Sequence, residues 1–192
     1  MKKSFLLLSL IVMFGKSYAG NQQYEVLKYE TRQLMSQMVA DQPPKNSSFE
    51  NLEKEKEWIE KNEMMIKKNW PDKDERHLLL KTIHYEATRA GLDPELVLGL
   101  ILVESGFKKY AVSSVGARGF MQVMPFWVKL IGDPSQNLFH LRTNLRYGCT
   151  ILRHYLDIEK GNTFRALGRY NGSLGKAEYP NAVFGAKTKF KK

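Results

Sequence analysis

The chain has 192 residues and a formal net charge of +10, with 30 basic and 20 acidic side chains. This length suits one domain with a substantial hydrophobic core, and the single cysteine, Cys149, excludes an internal disulfide. Excess positive charge is typical of proteins that bind anionic polymers. However, no basic run is interleaved with aromatic residues, which disfavours nucleic acid as the partner.

The first 19 residues have the layout of a secretory signal peptide. Lys2 and Lys3 precede an apolar run over residues 5–14, and small residues follow at Ser17 and Ala19. An apolar run of about ten residues is too short for a membrane-spanning helix, which needs roughly 20. We therefore expect cleavage near Ala19 and a periplasmic or secreted protein without a stable membrane span.

Cleavage at this point would remove three lysines and lower the formal net charge from +10 to +7. An exported protein meets little nucleic acid. An anionic polymer of the cell envelope, or a lipid surface, is therefore the favoured partner.

Residues 20–73 are predicted to form an N-terminal helical arm and a linker. Apolar side chains follow a loose helical stripe over residues 22–40, residues 42–48 interrupt that pattern, and residues 49–70 read as a charged helix with one apolar seam. We expect this arm to fold on the domain that follows. The apolar positions are Tyr24, Leu27, Leu34, Met35 and Met38 in the stripe, and Leu52, Ile59 and Ile66 in the seam.

Residues 74–192 are predicted to form a mostly α-helical domain without strands. Asp74 can cap a first helix that Gly91 ends. Asp93 and Pro94 then supply a capping side chain and a proline at the first helical position. The helix that they begin is apolar all round, which predicts a buried helix. The stripe of the first helix is Leu79, Ile83 and Ala87.

A third helix is predicted over residues 141–158, with an apolar face and Gly161 at its end. Thr163 can cap a short fourth helix. Cys149 lies on the apolar face of the third helix, where we expect a buried, inert thiol. The other members of that face are Leu145, Leu152 and Leu156.

Glu104 lies at the end of the apolar helix, and no other carboxylate occurs between Glu104 and Asp133. A solvated glutamate without a function is the plain structural alternative. However, the negative end of the helix dipole and desolvation both disfavour ionisation, so we expect a raised pKa. A carboxyl group that is still protonated near neutral pH is what a general acid requires. Residues 111–125 and 170–172 add small residues, hydroxyls, amides and apolar walls, which suit a neutral sugar.

Three motifs carry a resemblance to a known family. "ESGF" at 104–107, "AVSSVGARGFMQVMP" at 111–125 and "RYNGS" at 169–173 occur in an order and spacing that resemble the soluble lytic transglycosylases. "NLRYG" at 144–148 is similar to another motif of this family. The resemblance covers roughly residues 78–184 and implies the family's goose-type lysozyme-like helical fold.

The resemblance also implies roles for individual residues. Glu104 corresponds to the family's single catalytic acid/base, and Ser113 to the serine that hydrogen-bonds its carboxyl group. Met124 corresponds to an apolar wall of the cleft. The remaining substrate-binding positions implied are Gln122, Tyr170 and Asn171.

The chain also departs from the family's pattern. The family's late Glu-x-x-Tyr pattern is imperfect around residues 178–180, so no role is assigned there. Four other positions carry unusual residues, and the added positive charge among them bears on substrate preference. These positions are Lys109, Ser114, Phe120 and Arg169.

The activity that the resemblance implies is cleavage of the β-1,4 bond between N-acetylmuramic acid and N-acetylglucosamine in peptidoglycan, with a 1,6-anhydro product and no metal or organic cofactor. Two alternatives stay open. One is a muramidase that hydrolyses the same bond, and the other is a non-catalytic glycan-binding component of a secretion apparatus. Peptidoglycan glycan strands are the expected partner, and an envelope-spanning secretion or conjugation machine is a further candidate.

Overall fold

The computed structural model describes residues 22–40 and 47–190, which are mostly α-helical, as predicted. The predicted signal peptide and residues 42–46 of the predicted linker lie outside the described residues. No helix in the described ranges is long and apolar enough to cross a membrane. The helices are α1 (Tyr29–Val39), α2 (Leu52–Ile66), α3 (Lys73–Arg89), α4 (Pro94–Glu104), α5 (Phe126–Ile131), α6 (Leu141–Ile158), α7 (Thr163–Asn171) and α8 (Glu178–Lys187), followed by a 3₁₀ turn, Thr188–Phe190.

Helix α4 packs against α3 and α8 and ends at the candidate acid. The Asp93 carboxylate caps it by accepting hydrogen bonds from the amides of Glu95 (2.9 Å) and Leu96 (3.3 Å), and Pro94 occupies the first turn, as predicted. Most of its residues are buried. This burial confirms the prediction from its uniformly apolar sequence.

Helix α8 packs closely against α4 and runs antiparallel to it. A Cβ atom at Gly99 would lie 2.7 Å from the backbone nitrogen of Lys187 and 2.9 Å from the carbonyl of Val183. Gly99 is therefore the residue that permits this approach. The Lys187 side chain forms an ion pair with Asp93 at one end of the helix pair. The first turn of α8 consequently lies beside Glu104 at the other end.

Two predicted helix caps are wrong by one or two residues. Asp72, not Asp74, caps α3, and its side chain accepts from the amide of Glu75 at 2.8 Å. Asn162, not Thr163, caps α7. A cap must have extended backbone angles outside the helix, whereas Asp74 already lies in the first turn. There its charge complements the helix dipole.

The predicted helix over 141–158 is confirmed as α6, with Cys149 buried in its apolar face. The short helix α5 and helix α8 were not predicted. The loop over residues 111–123 contains two isolated antiparallel bridges, Val112–Arg118 and Arg118–Val123.

The N-terminal arm packs on the domain through a narrower face than its sequence predicts. In α2, Ile59 and Ile66 are buried, whereas Leu52 is exposed. In α1 the buried residues are Met35 and Val39, and Leu34 is exposed, as is the predicted stripe residue Tyr24 before the helix. Each helix of the arm therefore buries only a narrow face against the rest of the protein.

Candidate active site

Glu104 is the last residue of α4, and its side chain is buried with 7 % exposure. The hydroxyl of Tyr179, in the first turn of α8, donates a hydrogen bond to Glu104 Oε1 at 2.6 Å. Burial raises the pKa of Tyr179 well above its usual range, and the neighbouring charge of Glu104 raises it further. The phenol therefore keeps its proton and remains a donor at neutral pH.

The turn after Glu104 is fixed by Ser105. Its hydroxyl donates to the carbonyl of Phe120 at 2.8 Å and contacts the carbonyl of Ile101 at 3.2 Å. The next two residues, Gly106 and Phe107, have φ values of 57° and 63°. This left-handed turn stops α4 at the acid and joins it to the loop over residues 111–123.

Gln122 holds that loop together from within. Its side-chain amide donates to the carbonyls of Gly119 (2.9 Å) and Ala111 (3.2 Å), and the residue is 1 % exposed. Its own backbone is left-handed, with φ at 49°. The described contacts are therefore structural, and the contact of Gln122 with a sugar stays a prediction.

Asn144 in α6 holds the same loop from the side. Its carbonyl oxygen accepts from the amide of Met121 at 2.8 Å, and its Nδ2 donates to the carbonyl of Arg118 at 2.8 Å. Two glycines make room for this contact, because a Cβ at Gly119 would meet Asn144 at 2.4 Å and one at Gly148 would meet Met121 at 2.4 Å. The "NLRYG" motif thus supplies the clamp on the loop, a role that the sequence alone did not assign.

The predicted residue Tyr170 is fully buried and is aimed at the same loop. Its hydroxyl donates to the carbonyl of Met121 at 2.7 Å. Burial raises the pKa of Tyr170 well above its usual range, the charge of Glu104 raises it further, and a hydrogen bond with Gln22 opposes the shift. Tyr170 therefore connects the loop with the surroundings of the acid.

The other predicted site residues are Asn171, Met124 and Ser113. Asn171 is the last residue of α7 and is 9 % exposed, and Met124 is half-buried. Ser113 Oγ accepts from the amide of Ala117 at 3.0 Å and so closes its own turn. The hydrogen bond between Ser113 and Glu104 stays a prediction.

Sequence reasoning missed Tyr179. The imperfect pattern around residues 178–180 was the available signal, but α8 has no clear apolar stripe that would have identified it as a helix. The close packing of α8 on Gly99, which brings the phenol to the acid, joins residues about 80 positions apart.

Two of the unusual residues contact the N-terminal arm. The Phe120 ring lies 5.9 Å from the ring of Trp70. The guanidinium of Arg169 forms ion pairs with Glu159 and, at 3.7 Å, with Glu25. The positive charge of Arg169 is thus engaged within the protein.

The described part of the chain contains no group of three or more His, Cys, Asp or Glu side chains suited to holding a metal ion. Cys149 is buried, and burial raises the pKa of its thiol well above the usual range. This environment fits the inert thiol predicted from the sequence.

Residues 81–191, more than half of the chain, match the family described as the Transglycosylase SLT domain. The chain belongs to this family, which confirms the resemblance seen in its motifs. The mostly helical structure agrees with the fold that the resemblance implies.

Individual relatives match half of the chain or slightly more. A transglycosylase of Enterobacteria phage PRD1 is 36 % identical over 114 residues, covering 57 % of this chain and 38 % of the relative. Membrane-bound lytic murein transglycosylase C of Histophilus somni (strain 2336) is 38 % identical over 112 residues, covering 50 % of this chain and 31 % of the relative. The chain therefore spans only about a third of the length of these curated relatives.

A solved structure is also similar. It is an inactive mutant of the lytic transglycosylase Slt from Pseudomonas aeruginosa, with a TM-score of 0.45 and 24 % sequence identity. The match covers 57 % of this chain and 21 % of that one.

Proposed function

We propose that this protein is a lytic transglycosylase that cleaves the β-1,4 bond between N-acetylmuramic acid and N-acetylglucosamine in peptidoglycan. The observation that carries the proposal is the buried Glu104 carboxyl group at the end of α4, which accepts a hydrogen bond from the Tyr179 phenol. Membership of the transglycosylase family supports the reaction type.

In the first step, the Glu104 carboxylic acid gives its proton to the glycosidic oxygen, and the bond to the anomeric carbon of the muramyl residue breaks. Glycosidases usually employ a second carboxylate here, but the N-acetyl group of a substrate can replace it. The absence of another carboxylate between Ser105 and Gly132 favours this substrate-assisted route.

In the second step, the Glu104 carboxylate takes the proton of the muramyl 6-hydroxyl group. The 6-oxygen then attacks the anomeric carbon, displaces the N-acetyl oxygen that had bonded to it, and closes the 1,6-anhydro ring without consuming water. Glu104 returns to its protonated state, so one carboxyl group serves both steps. The Tyr179 hydroxyl, a neutral donor, can hold the carboxyl group in position in both protonation states.

Mass spectrometry of the fragments released from purified sacculi tests this proposal. We expect muropeptides that end in 1,6-anhydromuramic acid and are lighter by one water than hydrolytic products. Hydrated reducing ends would identify a muramidase instead. Binding to sacculi without any release would identify a non-catalytic glycan-binding protein.

We also propose export, on the basis of the signal-peptide pattern that ends at Ala19. N-terminal sequencing of protein recovered from the periplasm or the medium should give Gly20 as the first residue. A retained Met1 in a membrane fraction would contradict this location.

A further inference from the structure

Side chains of the N-terminal arm reach the candidate active site from two directions. The first contact comes from Gln22, which is 4 % exposed although it lies about 100 residues away in sequence. Its Oε1 accepts a hydrogen bond from the amide of Met124 at 3.2 Å, and its Nε2 donates to the carbonyl of Gln122 at 3.5 Å. Gln22 thus bridges the backbone of Gln122 and Met124, next to the Met121 carbonyl that accepts a hydrogen bond from Tyr170.

The second contact comes from the end of the arm, after α2. Asn69 Nδ2 donates to the carbonyl of Gly106 at 2.7 Å, and the indole N–H of Trp70 donates to the carbonyl of Phe107 at 3.0 Å. The Trp70 ring also contacts Phe120. These bonds hold the turn that immediately follows Glu104.

Both contacts are made to residues with strained backbone conformations. Three non-glycine residues in the described ranges have a positive φ, and Phe107 and Gln122 are two of them. A left-handed conformation is strained for a residue with a Cβ and persists only where the surroundings enforce it. The carbonyls of both residues accept hydrogen bonds from the arm. The arm therefore supports both strained turns beside the candidate acid.

We propose that Gln22, Asn69 and Trp70 are positioning residues for the transglycosylase reaction. Asn69 and Trp70 fix the turn that orients Glu104, and Gln22 fixes the backbone of residues 122–124, which are predicted to hold the sugar. The arm then helps to position the active-site residues, although it lies outside the family match over residues 81–191. This inference rests on the proposed function.

Steady-state kinetics on soluble peptidoglycan glycan fragments test the inference. Trp70→Phe keeps an aromatic ring but loses the N–H, and Gln22→Met keeps the length but loses the amide. Trp58→Phe and Gln23→Met are matched controls, because the indole of Trp58 donates to Glu95 at the other end of α4 and Gln23 is exposed.

We expect Trp70→Phe to lower kcat about 3- to 10-fold with little change in KM, which is the effect of one lost positioning hydrogen bond. We expect Gln22→Met to raise KM by a similar factor, because its turn is predicted to bind the sugar. A merely structural role would lower the melting temperature without this division between kcat and KM. Kinetic constants equal to those of the controls, in folded protein, would overturn the inference.

Hydrogen–deuterium exchange separates this inference from the proposed function, because it requires no activity. In Trp70→Phe the amides of residues 105–108 should exchange faster than in Trp58→Phe. In Gln22→Met the amides of residues 122–124 should exchange faster than in Gln23→Met. Unchanged exchange in these segments would overturn the inference even if the unmodified protein cleaves peptidoglycan. Faster exchange in a protein without activity would support the arm's role in shaping the site and would contradict only the proposed reaction.

Discussion

Two carboxyl groups, those of Glu86 and Glu104, are buried within the described residues, and their neighbours differ in charge. Glu86, in the middle of α3, is 1 % exposed and lies among three guanidinium groups. Arg146 binds it with two hydrogen bonds, of 2.9 and 3.2 Å, and the closest nitrogens of Arg142 and Arg89 lie at 3.6 and 3.7 Å. Glu104, 7 % exposed, accepts instead from the phenol of Tyr179.

This difference shows that burial alone does not identify a catalytic carboxyl group. The guanidinium groups of Arg89, Arg142 and Arg146 hold the Glu86 carboxylate in an ion-pair network that links α3 to α6. A phenol is a neutral donor, and it can hydrogen-bond a carboxyl group whether or not that group carries a proton. The region around Glu86 is therefore suited to structure, and the region around Glu104 to proton exchange.

Glu86→Ala should give the largest effect on stability. It removes the carboxylate that accepts two hydrogen bonds from the buried Arg146 guanidinium, and breaking a buried ion pair typically costs about 3–5 kcal/mol. Urea unfolding should report this loss, while the activity of the protein that remains folded should be close to normal. Glu57→Ala, which breaks the exposed pair with Lys54, should cost less than about 1 kcal/mol. A catalytic defect in folded Glu86→Ala protein would remove the distinction between the two regions.

Tyr179→Phe should give a smaller free-energy effect than Glu86→Ala, and this effect should be on catalysis rather than on stability. The substitution removes the hydrogen bond to Glu104 but keeps the buried ring, so kcat should fall about 5- to 30-fold, equivalent to about 1–2 kcal/mol. Tyr147→Phe is the matched control, because it removes a hydrogen bond from another buried tyrosine to Gln136. Equal activity of the two variants would show that the phenol does not position the acid.

A further effect should come from pH, and it concerns the contact between the arm and α3. The His84 ring stacks on Phe49 of the arm at 3.7 Å and contacts Trp58 at 4.8 Å. Burial lowers the pKa of His84 to about 4, and the charge of Glu55 only partly opposes this shift. The unfolded chain, with a histidine pKa near 6.5, then binds the proton more readily than the folded protein does. Stability should therefore fall as the pH drops from about 6.5 towards 4.

Melting temperatures at pH 7 and pH 4.5 check this expectation. The decrease between the two values should be smaller in His84→Gln than in the unmodified protein. His140→Gln, at an exposed histidine, should leave the decrease unchanged. An undiminished decrease in His84→Gln would mean that other groups cause the acid sensitivity.

Local signals explain why part of the fold was predictable from sequence. The start of α4 depends on Asp93 and Pro94, which act within one turn, and the apolar face of α6 repeats at helical spacing. The position of Glu104 at the end of α4 follows from these same signals. Prediction of the caps at Asp72 and Asn162 failed because neighbouring residues had equally suitable side chains, and only backbone angles distinguish them.

Long-range packing explains most of what was not predictable. Helix α8 has Tyr179 and Pro180 in its first turn and carries no clear apolar stripe, and its burial depends on close packing against Gly99. The contribution of Gln22 to the loop depends on packing across about 100 residues. The pairing of Arg169 with Glu25 could not be read from either residue alone.

The most direct test of the central claim, that one carboxyl group serves both steps, is the rate at which Glu104→Gln releases muropeptides from sacculi. The amide keeps the shape of the side chain but can neither give nor take the proton, and proton transfer alone contributes roughly 10²- to 10⁴-fold. The account predicts a folded protein with nearly undetectable release, whereas Asp133→Asn, at an exposed carboxylate, should keep substantial activity. Release by Glu104→Gln at a rate similar to that of the unmodified protein, or loss of activity in Asp133→Asn, would contradict it.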